Sequence, residues 1–267
     1  MVLERLVSLR EALRNPWWVF LIGGIVSLTS LFVSFLIFPA EKLGLATSFM
    51  ITLTMAPFMT SLLSYDESRE EEALAKKMKQ SLLQRHRQVL IIYTAFFSGM
   101  ILSFSFVYLL LPQTVVESLF KEQLNEISRI RGSLAFFGNF EKILLNNIGV
   151  LFISFLFSFL FGAGAVFILT WNASMLSVVI SKAALSGGGF QALPLAILAY
   201  FPHGSLEILA YFIGALAGGV VSIALTKRNS KWLFLVFKDS LVLVAIAVVL
   251  LVAAAFVETT SMIIISQ

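Results

Sequence analysis

The chain contains no cysteine among its 267 residues. A disulfide framework, a thiol nucleophile and a cysteine-based metal site are therefore excluded. Charged residues are also scarce, at 13% of the chain against roughly 25% in soluble domains. Histidine occurs twice, at positions 86 and 203, so little of the usual material for acid–base or metal chemistry is present.

The chain is instead rich in apolar residues. Hydrophobic residues make up 59% of it, and phenylalanine alone occurs 26 times. This composition predicts an all-α polytopic integral membrane helical bundle. The net charge of +4 is typical of the basic cytoplasmic loops of membrane proteins, so no nucleic-acid partner is expected.

A hydrocarbon core about 30 Å thick needs around 20 apolar residues per helix. On this basis the sequence predicts six full spans: 17–38, 43–65, 88–111, 148–170, 204–225 and 239–257. Residues 171–203 are apolar on both sides of Gly187–Gly189, but neither side is long enough to cross alone. Since three glycines disfavour a helix, this stretch is interpreted as a broken or re-entrant segment.

Three regions follow from this pattern. Residues 1–112 form an N-terminal three-span region, 113–141 an amphipathic extracytoplasmic connector, and 142–267 a C-terminal membrane core. The charged stretch 66–87 is interpreted as a solvated helix, or alternatively as a docking element for a partner, with His86 as a solvated loop residue.

Orientation is predicted from the lysines and arginines of the short loops. They cluster in the N-terminal tail, in the loop after the second span and between the last two spans, where Lys227, Arg228 and Lys231 lie. The positive-inside rule places all three regions in the cytoplasm. The chain is thus expected to be a multi-pass cell-membrane protein with a cytoplasmic N-terminus.

The polar residues of the C-terminal half are candidates for a site. His203 and Glu207 are four residues apart and share one helix face, and Gly204 allows close approach of another backbone. Three amides are the expected partners: Asn146, Asn147 and Asn172. The group is interpreted as a polar node that ties the broken segment to the next helix; an interfacial helix cap or a proton- or ion-handling site are the alternatives.

Enzyme chemistry finds no support in the sequence. The HxxxE spacing of His203 and Glu207 supplies at most two metal ligands, and the motifs HExxH and GxSxG are missing. No catalytic residue, metal or cofactor is therefore expected.

Three motifs in order carry a resemblance to a known family. An Asn pair opens ILLNNIGVLFISFLFSFLFGAG, an Asn follows in LTWNASML, and PHGSLE precedes the small-residue helix AYFIGALAGG. Over about residues 140–225 the chain resembles the stage II sporulation protein M family of integral membrane proteins. It departs from the family at Ala173, where glycine is usual. The resemblance implies work within a membrane complex of envelope proteins.

Together these observations predict a non-enzymatic membrane protein that organises envelope or membrane processes through protein partners. Its expected partners are the lipid bilayer and other membrane or envelope proteins. The alternative is a transporter or channel whose site lies at the broken segment, near Asn172, His203 and Glu207.

Overall fold

The structure is a computed structural model that describes residues 8–76, 81–134, 139–226 and 233–266. Within these ranges the chain forms α-helices joined by short turns, two of which are 3₁₀ turns at Ala40–Lys42 and Gly189–Ala192. The helices are α1 (Leu9–Arg14), α2 (Trp17–Ile37), α3 (Leu43–Ala75), α4 (Leu82–Arg85), α5 (Arg87–Leu110), α6 (Gln113–Leu119), α7 (Lys121–Leu134), α8 (Asn139–Phe161), α9 (Ala165–Ser186), α10 (Leu193–Thr226) and α11 (Leu233–Ser266).

Seven helices of the described residues are long and apolar enough to cross a membrane, namely α2, α3, α5, α8, α9, α10 and α11. The prediction of an all-α polytopic membrane bundle is confirmed. α10 lies at its centre, since every residue from Ala210 to Val221 is buried. A helix that is apolar and buried all round belongs to the core of a bundle. α9 also lies inside, in contact with α3, α5, α8 and α10.

The predicted broken segment 171–203 is wrong. The structure has two complete helices here, α9 and α10, joined by a turn at the three glycines. The described residues therefore contain seven helices long enough to span, rather than six and a broken one. Gly188 and Gly189 have φ values of 117° and 83°, which only glycine adopts readily. The glycines therefore end a span instead of interrupting one.

The error in the predicted helix boundaries begins at α8, the helix before α9. α8 ends at Phe161 because Gly162 has a left-handed φ of 65°, whereas the sequence analysis extended this span to Thr170. α9 then continues through the polar residues around Asn172. The Asn172 amide donates to the Ile168 carbonyl at 2.8 Å, and the Ser177 hydroxyl donates to the Ala173 carbonyl at 2.6 Å. Polar side chains bonded to their own helix in this way are compatible with a membrane span.

Some of the basic residues that predict the orientation lie outside the described residues, as does part of the connector. This applies to Lys227, Arg228 and Lys231, and to residues 135–138 of the connector. The described part of the connector forms α6 and α7. The Gln123 amide of α7 donates to the Ser174 hydroxyl of α9 at 3.0 Å, which attaches the connector to the bundle.

The end of α3 extends past the expected thickness of the bilayer. The helix has 33 residues, a length of about 50 Å against a hydrocarbon core of about 30 Å. Its last three turns are charged and are followed by α4 and the start of α5. We call residues 66–76 and 81–88 the charged cap.

Close helix contacts in the bundle depend on glycine. A Cβ atom at Gly99 of α5 would collide with the backbone carbonyl oxygen of Phe20 in α2, which no side-chain rotation relieves. We expect Gly99→Ala to lower the free energy of unfolding by about 1–3 kcal/mol. Gly149→Ala in α8 is the matched control, since no atom lies within 4 Å of its added Cβ. It should be neutral or stabilising by up to about 1 kcal/mol. Unfolding in detergent mixtures measures both, and equal effects would contradict the prediction.

Candidate functional site

A polar chamber of about 430 Å³ lies between α8, α9 and α10, with α7 and α11 completing its wall. All six site residues predicted from the sequence line it: Asn146, Asn147, Asn172, His203, Gly204 and Glu207. Three charged residues that were not predicted line it as well: Arg129, Lys142 and Glu258. Its volume is within the range of about 300–1,000 Å³ that is usual for small-molecule sites.

The main contact within the chamber joins α8 to α10. The side-chain amide of Asn147 donates to Glu207 Oε1 at 2.6 Å. Asn147 is only 6% exposed, and its own oxygen accepts from the amide of Asn146 at 3.3 Å. These bonds satisfy polar groups that would be costly to leave unpaired in an apolar setting.

Asn172 and His203 face the same chamber but have other immediate neighbours. The amide of Asn172 bonds to its own helix, as described above, and the ring of His203 packs edge-on against Tyr200 with centroids 5.8 Å apart. Among the described residues, the side-chain hydrogen bonds of Glu207 go to Asn147 and Glu258. Direct coupling of Asn172 to His203 and Glu207 stays a prediction.

Glu258 of α11 is the functional candidate that the sequence analysis missed. Its carboxyl group forms a hydrogen bond with that of Glu207. The predicted last span ended at residue 257, which left Glu258 outside the membrane. In the structure α11 continues without a break to Ser266, which places Glu258 on the membrane helix itself.

The bond between Asn147 and Glu207 provides a test of the chamber as a structural unit. We expect Glu207→Leu to destabilise the protein more than Glu207→Gln, because glutamine keeps an acceptor for the Asn147 amide. In a double-mutant cycle, Asn147→Leu and Glu207→Leu, each of which removes the bond, should show a coupling of about 0.5–3 kcal/mol. Unfolding of the four proteins in detergent measures it. Additive losses would mean that the observed bond contributes nothing to stability.

A second polar cluster lies at the charged cap, and here the sequence interpretation is wrong. His86 is not solvated but 1% exposed, and its Nδ1 lies 2.5 Å from Asp66 Oδ2. Arg85 next to it pairs with Glu70 at 3.2 Å and with Asp239 of α11 at 2.8 Å. We call Asp66, Glu70, Arg85, His86 and Asp239 the buried ion network.

The surroundings of His86 favour its charged form. Burial works to lower the pKa of the imidazole, but the hydrogen bonds to Asp66 and Glu70 outweigh it and raise the pKa to about 9. His86 is therefore a cation at neutral pH. The network connects α3, α4, the start of α5 and α11.

The described residues contain no group of three or more His, Asp or Glu side chains placed to hold a metal ion. The buried ion network is instead made of pairs of opposite charge, and the polar chamber of carboxyl and amide groups bonded to one another. Both arrangements are suited to joining helices, and the chamber in addition has space for a ligand.

Comparison with known proteins gives two matches. The family model described as Stage II sporulation protein M matches residues 90–261. The uncharacterized protein MJ0793 of Methanocaldococcus jannaschii is 33% identical over 125 residues, which cover 45% of this chain and 68% of that protein. No solved structure matches the chain.

Proposed function

Because the chain belongs to the stage II sporulation protein M family, we propose that it is a non-enzymatic multi-pass membrane protein that organises envelope or membrane processes through protein partners. The observation that carries the proposal is the charged cap. It extends beyond the membrane helices, and the buried ion network holds it in a fixed position against α11.

A rigid cap suits partner binding for a physical reason. Association costs free energy for every loop and side chain that must become ordered, and a surface ordered in advance avoids that cost. Buried ion pairs rarely add stability compared with apolar residues of similar volume. Their presence here is better explained by the fixed placement of the exposed residues above them, among which are Arg69, Glu72 and Lys76.

The partner role is tested on an exposed ion pair. Glu72 and Lys76 lie 2.5 Å apart with side chains 60% and 64% exposed, so replacing both by alanine should change stability little. A photoreactive residue placed at Arg69 should capture partner proteins in living cells, and Glu72→Ala/Lys76→Ala should reduce that capture. The control is the same photoreactive residue at Phe35, an exposed position of the apolar span α2. Capture that is equal at both positions, or unaffected by the double variant, would contradict the proposal.

The orientation of the chain is part of the same proposal, with the charged cap in the cytoplasm. A chain without cysteine suits labelling of single introduced cysteines. Lys76 is the best position, because it is exposed and Ser81 is needed as the N-cap of α4. We expect Lys76→Cys to react with an impermeant thiol reagent only after the cells are opened. Reaction in intact cells would show that the charged cap lies outside the cell, which is the opposite of the proposed orientation.

A transport role is the second candidate, and the polar chamber is the observation that favours it. A cavity with carboxyl, amide and imidazole groups inside a membrane bundle resembles the midplane sites of transporters. Flux into proteoliposomes that depends on Glu207 would favour this role over partner organisation.

A further inference from the structure

An apolar groove of about 310 Å³ lies beside the polar chamber, between α5, α9 and α10. It is lined mostly by aliphatic and aromatic side chains. Its rim includes Thr94 and Phe201, both exposed on the outer surface of membrane-spanning helices. The groove therefore opens toward the acyl-chain region of the bilayer, whereas the chamber next to it is polar.

The groove and the chamber are neighbours with a common wall. Five residues line both of them: Phe97, Leu176, Tyr200, Gly204 and Ile208. The two spaces together offer an apolar compartment and a charged one side by side. A molecule with an apolar chain and a polar head matches this pair of compartments.

Gly204 is the most informative of the shared residues. It is buried in the middle of α10, yet apart from its chain neighbours and the adjacent backbone of its own helix no heavy atom lies within 4 Å of the position that a Cβ atom would take. Glycine inside a helix costs about 1 kcal/mol relative to alanine. Its φ is not among the positive values of the described glycines, so the backbone does not require it.

Other glycines of the same helix have a packing reason that Gly204 lacks. An added Cβ would collide with Leu151 at Gly214, with Phe155 at Gly218 and with Leu63 at Gly219. At Gly204 the missing side chain only leaves space, and that space lies where groove and chamber meet. The simplest explanation for this unfilled space beside Gly204 is that another molecule occupies it.

The chamber carries charges of both signs. Glu207 and Glu258 form a pair deep in its wall. The two carboxyl groups share a proton in the hydrogen bond between them. Their remaining lone pairs are acceptors, to which an ammonium group can donate up to three N–H bonds. Arg129 is 74% exposed and therefore lies at the mouth, and it pairs with Glu126 on one side of its guanidinium. With Lys142 it gives the mouth two cations that suit a phosphate.

We propose that the polar chamber and the apolar groove form one binding site for a phospholipid with a primary-amine headgroup. The ammonium group binds at Glu207 and Glu258, the phosphate lies toward Arg129 and Lys142, and an acyl chain passes Gly204 into the groove. This site is separate from the charged cap, so its failure in a test leaves the proposed partner role untouched.

The experiment compares headgroups in the wild-type protein. The full chain is reconstituted in phosphatidylcholine vesicles with a trace of phosphatidylethanolamine that carries a photoreactive group on its acyl chain. We expect cross-links to the groove, at residues such as Leu102, Ile197 and Phe201. Unlabelled phosphatidylethanolamine should compete at least about tenfold better than phosphatidylglycerol, which has no amine, since tenfold corresponds to about 1.4 kcal/mol.

Two variants locate the site. Gly204→Leu fills the junction and should reduce cross-linking to the groove about tenfold or more. Gly149→Leu adds the same side chain at another glycine with open space, outside both cavities, and should stay within about twofold of the wild type. Glu207→Gln should leave the cross-links in place but remove most of the preference for the amine headgroup.

Two results would overturn the proposal. One is equal competition by phosphatidylethanolamine, phosphatidylglycerol and phosphatidylcholine in the wild type. The other is unchanged cross-linking in Gly204→Leu. If that variant does not reconstitute, the headgroup comparison on the wild type and the Glu207→Gln variant decides the question, because neither depends on filling the junction.

Discussion

Raising the pH from about 6 to about 10 should lower the free energy of unfolding by about 3 kcal/mol through His86 alone. The pKa of His86 is raised to about 9 by the hydrogen bonds to Asp66 and Glu70, against an ordinary value of 6.5. A group whose pKa is higher in the folded protein stabilises it fully at low pH. That contribution is lost as the pH rises from 6.5 through 9.

Variants separate this contribution from the other groups that titrate in the same range. In His86→Gln the protein should be less stable than the wild type at pH 6, and the two curves should converge by pH 10. His203→Gln removes the other histidine of the chain and keeps the buried network, so it should retain the wild-type slope. Unfolding in detergent mixtures at a series of pH values measures all three proteins. Parallel curves for the wild type and His86→Gln would mean that His86 is not held as a cation.

Composition was sufficient to predict the class of this protein, and the reason is the solvent. A chain that is 59% hydrophobic with few charges has to satisfy its backbone internally within lipid, and helices are the simplest way to do so. The helix boundaries were harder to predict. Among the described residues, the glycines with a positive φ are Gly162, Gly188 and Gly189, and they lie at helix ends that composition does not distinguish from glycines inside helices.

The candidate residues of the polar chamber were predictable because they stand out against an apolar background. Glu207 and Asn147 were both named from the sequence, and the structure joins them in one hydrogen bond. Glu258 was missed because its position depends on how far α11 continues, which polarity alone does not tell.

His86 was misread for a different reason. In the sequence it lies between two arginines in the most charged stretch of the chain, which favours a solvated position. Its burial depends on Asp66, which is 20 residues away and comes close only after α3 has ended and the chain has turned back. A contact between residues this far apart depends on the tertiary structure, and the local sequence pattern does not predict it.

Arg85→Met should be among the most destabilising single changes in the charged cap, at about 3–5 kcal/mol. The guanidinium pairs with Glu70 and with Asp239, and the side chains of these two acids are 1% and 17% exposed. Methionine fills similar space but leaves Asp239 without its cation and Glu70 with His86 alone. Most of the loss comes from buried charges that have lost a partner, so Arg85→Met combined with Glu70→Gln should recover part of it.

The matched control for Arg85 is the lysine of an exposed ion pair in the same cap. Lys76→Ala also removes a cation from a carboxylate, but water solvates Glu72 once it is alone, so the loss should be small. Similar losses for the two changes would show that the network is solvated rather than buried. A large difference would show that Arg85 belongs to a buried network, which joins the cap to Asp239 of α11 within the family-matched residues 90–261. Any partner of the cap would then be held in a fixed position relative to the membrane core.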